Sequence, residues 1–356
     1  MEIGSIFEVD AKDLFKEPSH ELTDYPFCSS PYSFSYFNTG RAAIESLLHD
    51  LKGNGIERIW LPSFNCSSVY DAAKRAGMNV NLYPVGRDLL IDTAFFSEVE
   101  KKDIIYLVNF FGKLETETTY SKIKELQKAG ITVIEDLTLA LLSRNANIGF
   151  GNYIIGSIRK WLPITDGGFI ASRRELPEYH KADAANDYTL YYFAAQLMKS
   201  EYLKDCNLDK QVFLKISNMG MEALFSDYTI RKMSVLSERV IGSTSLQDVA
   251  EMRIKNYDML YDMLSSIPQV RCLIDRKDGM CPLGMILAVD DRDNFFKYLI
   301  SKGIYCNIHW RPNESSLQYG DSSYLSEHCL TIPCDQRYGE EEMKYIYKTV
   351  KDYYHV

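Results

Sequence analysis

From about residue 40 the chain alternates segments of helical period with short apolar runs. Ile44, Leu47, Leu48 and Leu51 fall at i, i+3, i+4 and i+7, which predicts a helix with one apolar face that ends at Gly53. Arg58-Ile59-Trp60-Leu61 reads as a buried strand stopped by Pro62. A helix is expected over Ser68 to Arg75, closed by Gly77, and a strand over Val80 to Val85. The apolar run Asp103 to Phe110 is a second buried strand, followed by a polar helix at Tyr120 to Lys128 and a strand at Ile131 to Glu135. Tyr153 to Ile158 and Gly168 to Ala171 are further strand candidates. Such alternation is that of an α/β chain around a mainly parallel sheet.

After about residue 175 the character changes. Glu178 to Asn218 reads as mainly helical, and a long helix is expected from Ser245 to Leu264. Beyond it, Gly284 to Val289, Phe295 to Gly303 and Glu340 to Tyr354 suggest a smaller α+β unit. The expected division is a large domain over 1–240, then a linking helix and small domain over 241–356. A length of 356 residues fits two domains at roughly 150 residues each. No internal repeat or low-complexity tract interrupts the pattern.

Composition narrows the classes. With 46% hydrophobic residues the chain can bury a full core, which excludes intrinsic disorder. A net charge of −9 and no long basic run argue against nucleic acid as partner. The longest apolar runs are of strand length, well short of the ~20 residues of a membrane span. Met1 to Leu14 lacks the basic and apolar regions of a leader, so a soluble cytoplasmic protein is expected. The eight cysteines form no C-x-x-C pair and no zinc spacing, and are expected as reduced thiols with no metal site. Twenty-five tyrosines fit core edges, an interface or a stacking pocket, and the number alone does not choose.

Three stretches carry chemistry. Ser157-Ile158-Arg159-Lys160 puts a lysine just past a strand, three residues after a serine and before the flexible turn Asp166-Gly167-Gly168. Such a lysine can carry an imine, although S-x-x-K is a weak signal alone. Val133-Ile134-Glu135-Asp136 ends a strand in two acids, which places Asp136 where open α/β sheets bind ligands, able to hold a heterocyclic nitrogen protonated. Asn38-Thr39-Gly40-Arg41-Ala42-Ala43 opens the first helix, whose free N–H groups suit a phosphate. A phosphate-bearing cofactor that bonds to lysine and needs an acid at a ring nitrogen is pyridoxal 5′-phosphate (PLP).

In these stretches, in Leu61-Pro62-Ser63-Phe64 and in Asn109-Phe110-Phe111-Gly112, the chain resembles the DegT/DnrJ/StrS family of sugar aminotransferases. The lysine precedes the Gly-Gly pair by seven residues, as in that family. This resemblance implies a fold type I PLP enzyme. Lys160 would carry the cofactor, Asp136 would partner its ring nitrogen, and Gly40, Arg41, Ala42 and Ser157 would line its phosphate. Cys66 stands where the family commonly stacks an aromatic ring on the cofactor. Leu139 stands where it usually has Gln or His, and Asp166 where it usually has Glu. The family's asparagine loop, which reaches the partner subunit, aligns only loosely with Ser226 to Met233. His309 and Asn109 are candidate substrate contacts.

The implied activity is transfer of an amino group, from a donor such as glutamate, to a keto group of a nucleotide-linked sugar in polysaccharide or antibiotic-sugar biosynthesis. A homodimer with shared sites is implied as well. Two alternatives stay open, a dehydratase-type PLP reaction and a non-catalytic PLP- or sugar-nucleotide-binding regulator. Cys334-Asp335-Gln336-Arg337-Tyr338 reads as a loop anchored by Asp–Arg pairing.

Overall fold

The computed structural model describes residues 1–28, 31–204, 208–277, 279–311 and 314–356. Cys206, Pro312 and the middle of the expected helical stretch at 205–207 lie outside the described residues.

Among the described residues, a seven-stranded sheet forms the centre. Across it the strands run Ser33–Phe37, Gly168–Ser172, Tyr153–Ser157, Thr132–Asp136, Asp103–Val108, Arg58–Pro62 and Asn79–Tyr83. Only Gly168–Ser172 runs against the others. Asp103–Val108 is buried at every position, as a central strand covered on both faces must be. Its register is pinned at one end, where Arg58 donates to Asp103 through Nε and Nη2 at 2.9 and 2.8 Å, and Trp60 Nε1 donates at 3.0 Å.

The helices Gly40–Gly53, Ser67–Arg75 and Glu117–Lys128 follow the expected spans within a few residues. In the first, Ile44, Leu47, Leu48 and Leu51 are buried, and Gly55, at φ +81°, turns the chain after it. The edge strand Ser33–Phe37 was not among the expected elements. Its rings Phe34 and Tyr36 pack in an aromatic cluster with Tyr25, Phe27 and Phe169, so part of the tyrosine content serves a core edge.

Glu178 to Asn218 resolves into the helices Asp187–Leu203 and Lys210–Ser226, which pack together. The helix Leu246–Leu264 leads to an antiparallel sheet of Cys329–Ile332, Met285–Ala288 and Arg271–Cys272, flanked by the helices Arg292–Ser301 and Glu340–Tyr354. Ile3–Gly4 pairs in parallel with Ile304–Tyr305, so the start of the chain is tied to its last third. Lys199 Nζ and Arg337 Nη1 both donate to Gly4 O and Ile6 O, and Arg337 grips Asp335 through Nε and Nη2 at 2.7 and 2.9 Å. No helix among the described residues is long and apolar enough to cross a membrane.

Candidate active site

The segments that follow the carboxyl ends of the parallel strands meet on one edge of the sheet, where open α/β folds take their ligands. A cavity of about 190 Å³ opens there. Gly40, Arg41, Cys66, Asp136, Leu139, Ser157 and Lys160 all line it. An adjoining cleft of about 550 Å³ shares Arg159 and Lys160 with the cavity, and His309 lines this cleft. Ala42 and Asn109 line neither space.

Lys160 closes a single helical turn, Ile158–Lys160, directly after the strand Tyr153–Ser157. Its side chain forms no ion pair with a carboxylate among the described residues. Desolvation lowers its pKa, aided by Arg159 and opposed by Cys66 and Asp136. A neutral amine is therefore more accessible there than at a surface lysine.

Asp136 ends its strand with the carboxylate fixed from two sides. Tyr106 Oη donates to Oδ2 at 2.7 Å, and the Thr138 amide donates to Oδ1 at 2.8 Å. Strand register explains the first contact. Val108 faces Asp136 and Tyr106 faces Ile134, so Tyr106 and Asp136 are diagonal neighbours on one face. Burial, and next the Asp136 charge, push the Tyr106 hydroxyl well above its ordinary pKa, so it remains a donor.

Glu135 points the other way, as strand alternation requires. It is wholly buried and accepts from the amides of Gly149 and Gly151 and from Asn109 Nδ2 at 3.1 Å. Asn109 thus secures this carboxylate and not the cavity. Burial lifts Glu135 from 4.5 to about 7 against those donors. A carboxyl group with a raised folded pKa contributes stability that is complete below its unfolded value and is lost as pH rises through the folded one. Unfolding free energy should therefore fall between pH 4.5 and 7 on account of Glu135, by an order of about 3 kcal/mol. Urea titrations across this range should show a smaller fall in Glu135→Gln; an equal fall refutes the assignment.

The turn expected to take a phosphate lies at the start of the helix Gly40–Gly53. Thr39 Oγ1 accepts from the Ala42 amide at 3.0 Å, which spends that donor and leaves the Gly40 and Arg41 amides free of intrahelical partners. A Cβ on Gly40 would lie 3.2 Å from Ser157 Cβ, so glycine keeps this floor open. Gly168 passes so close beneath that its Cβ would stand 2.3 Å from Thr39 C and Gly40 N, and Gly167 beside it has φ +130°. The Gly-Gly pair thus joins the lysine turn to the helix start.

Arg41 lines the cavity, but its guanidinium is committed elsewhere. Nη2 donates to Leu224 O and Asp227 O at 2.8 and 2.9 Å, and the group stacks on Tyr228 at 4.4 Å. The 226–233 loop is pinned to the same region by Asn38, whose backbone amide donates to Arg231 O at 3.0 Å. Asp166 is fully buried and receives Ser234 Oγ and Ser237 Oγ at 2.6 and 2.5 Å, so it anchors the helix Val235–Gly242 outside the cavity.

Cys66 precedes the helix Ser67–Arg75 without capping it, its Sγ 3.0 Å from Ser68 Oγ. Leu139 is a buried apolar wall. His309 stands edge-on to Phe111 and Trp310 at 5.0 and 5.3 Å, and its Nε2 is buried with no partner. Burial, then the Lys160 charge, lowers its pKa to about 3, so the ring is neutral at physiological pH.

Four lining or supporting residues escaped the sequence reading: Tyr106, Arg159, Trp310 and Asn65. Asn65 Nδ2 is a buried donor without a partner on the cavity wall. Arg159 was signalled only by adjacency to Lys160, and Trp310 only by adjacency to His309. Tyr106 needed the strand register, which a single sequence does not carry.

No profile of a known protein family matches the chain, and no curated protein does. Solved structures do. Spr1654 of Streptococcus pneumoniae, solved in PLP and PMP forms, superposes at TM-score 0.70 for the PLP form, with 13% identity over 99% of this chain and 98% of that one. PseC of Helicobacter pylori, an aminotransferase involved in the biosynthesis of pseudoaminic acid, gives 0.68 with 13% identity over 99% of each. A DegT/DnrJ/EryC1/StrS aminotransferase of Brucella abortus gives 0.61 with 15% identity over 90% of this chain and 85% of that one. The chain therefore has the fold type I architecture, mainly parallel sheet and flanking helices, that these aminotransferases share.

Proposed function

We propose that the chain is a PLP-dependent aminotransferase that moves an amino group from an amino-acid donor such as glutamate to the keto group of a nucleotide-linked sugar, as a cytoplasmic homodimer. One observation carries this reading: a partly desolvated lysine with no carboxylate partner among the described residues, a fixed carboxylate and a helix N-terminus converge on a single cavity. The buried orphan donor Asn65 Nδ2 and the glycine floor at Gly40 leave room and polar demand for a phosphorylated ring. The fold shared with sugar aminotransferases supports the same choice.

When bound, PLP supplies an aldehyde that condenses with amines and a protonated ring that accepts an electron pair. Lys160 would hold the aldehyde carbon through its ε-amine, and once the donor's amine takes over that bond, the released ε-amine would accept and return the proton of the donor's α-carbon. Asp136, immobilised by Tyr106 and Thr138, would keep the proton at the ring nitrogen. The Gly40 and Arg41 amides with Ser157 would hold the phosphate, through backbone and hydroxyl and not through the Arg41 guanidinium. Leu139 and Cys66 would offer apolar and thiol walls to the ring. In this reading the 241–356 part, which brings His309 and Trp310, is the small domain that closes on the substrate.

Borohydride reduction of the PLP-loaded protein followed by peptide mapping tests the assignment. The label is expected on Lys160; a label at another lysine, or no visible absorption band, refutes it. Asp136→Asn should reduce turnover by roughly 10²-fold or more, as loss of a preorganised charge at the reacting ring does. Unchanged steady-state turnover in this variant would remove Asp136 from the mechanism.

A further inference from the structure

Arg159 stands on the wall common to cavity and cleft, half-buried, with Cζ 6.0 Å from the centre of the Tyr188 ring. Tyr188, whose hydroxyl donates to Thr165 O at 2.5 Å, also takes a side-chain hydrogen bond from Arg159, which uses only part of the five N–H donors of a guanidinium. The other buried or half-buried arginines and lysines nearby are committed. Arg41 holds two backbone carbonyls, and Arg253 donates to Gln336 Oε1 and Leu283 O at 2.8 Å each. Arg337 grips Asp335, and Lys199 pairs with Glu8 at 3.0 Å. Among the described residues Arg159 forms no ion pair with a carboxylate, and Lys160 beside it, whose charge burial disfavours, offers it no counter-ion.

A half-buried guanidinium with no carboxylate beside it keeps N–H donors turned to the open space, and an anion that reaches them would gain paired, charge-assisted hydrogen bonds. The cleft side of this wall carries two buried polar atoms with no partner, His309 Nε2 and Thr331 Oγ1, and the His309 residue is only 8% exposed. Nothing in the chain's overall charge of −9 predicts such a spot.

We propose that Arg159 is the receptor for an oxyanion of the substrate, a carboxylate or a phosphate, with His309 and Thr331 completing the polar contacts on the cleft side. The inference deepens the aminotransferase reading by assigning a substrate-anchoring group, and rests on it only in taking the cleft as the substrate side. A planar guanidinium suits either anion through paired N–H donors. Carboxylate would point to the amino donor, and phosphate to the nucleotide-linked acceptor.

Calorimetric titration with succinate and with inorganic pyrophosphate, on PLP-loaded and unloaded protein, tests this in wild type, Arg159→Gln and Arg159→Lys. At least one anion is expected to bind wild type and to weaken about tenfold or more in Arg159→Gln. Arg159→Lys keeps the charge but not the fork, and should weaken the same anion by roughly threefold. Selective loss for succinate identifies a carboxylate site, and selective loss for pyrophosphate a phosphate site. No binding of either anion at about 50 mM, or losses under about twofold in both variants, overturns the proposal. Should Arg159→Gln not fold, the Arg159→Lys titration decides alone. Failure of the PLP reading would be recognised separately, as an Arg159-dependent anion site in a protein with no visible band and no label at Lys160.

Discussion

Lys160→Gln is expected to lower the proposed transamination by at least about 10²–10⁴-fold while leaving the fold intact. The amine is the group in the cavity that can both bond to an aldehyde and carry a proton, so one substitution removes two functions. The remaining walls are unaffected, because Asp136 is held by Tyr106 and Thr138, and the Gly40 and Arg41 amides belong to the backbone. PLP should therefore still bind to the variant, now without a borohydride-reducible bond. Stability should not fall. Lys160 forms no ion pair with a carboxylate among the described residues, and its desolvated charge disfavours the folded state. Steady-state rates, dialysis of bound cofactor and urea unfolding measure the three expectations. Turnover near the wild-type level would end Lys160's candidacy.

Gly168→Ala carries a large expected structural effect at the site. Its added Cβ would meet backbone atoms of Thr39 and Gly40 at 2.3 Å, and backbone cannot rotate away as a side-chain tip can. Either the strand Gly168–Ser172 or the first turn of the helix Gly40–Gly53 has to move. A destabilisation of about 3 kcal/mol or more is expected, at the upper end of overpacking effects. The helix turn is also the phosphate cradle of the proposed site, so PLP affinity should fall in any fraction that folds. Gly320→Ala is the fitting control, since a Cβ there meets nothing within 4 Å. Equal unfolding midpoints for the two variants would show that the close approach is not present in solution.

Much of the architecture was legible because its signals are local. The helix at Gly40–Gly53 is written in the spacing of four apolar residues, and the strands at 103–108 and 132–136 in apolar runs that end in polar groups. Ser33–Phe37 was missed because a short, half-buried edge strand has neither a long apolar run nor a sharp alternation. The Gly-Gly pair was visible as a motif. Its reason was not: the reason is a distant backbone, at Thr39 and Gly40, that passes against Gly168.

By itself, the sequence determined the α/β alternation and the positions able to carry chemistry, because period, strand ends and helix starts depend on neighbours along the chain. It placed Glu135 and Asp136 side by side, and Gly40, Arg41 and Ala42 as one phosphate turn. Only the tertiary structure separated them. Strand register sent Asp136 to the cavity and Glu135 to the opposite face, where Asn109 and two loop amides hold it. The Thr39 cap consumed the Ala42 amide, and the end of a helix near residue 226 consumed the Arg41 side chain. Among the described residues, those left without a carboxylate partner after these long-range contacts, Lys160, Arg159 and the His309 ring, line the open space. Such remainders follow from which distant donors and acceptors find one another, and local pattern does not encode that pairing.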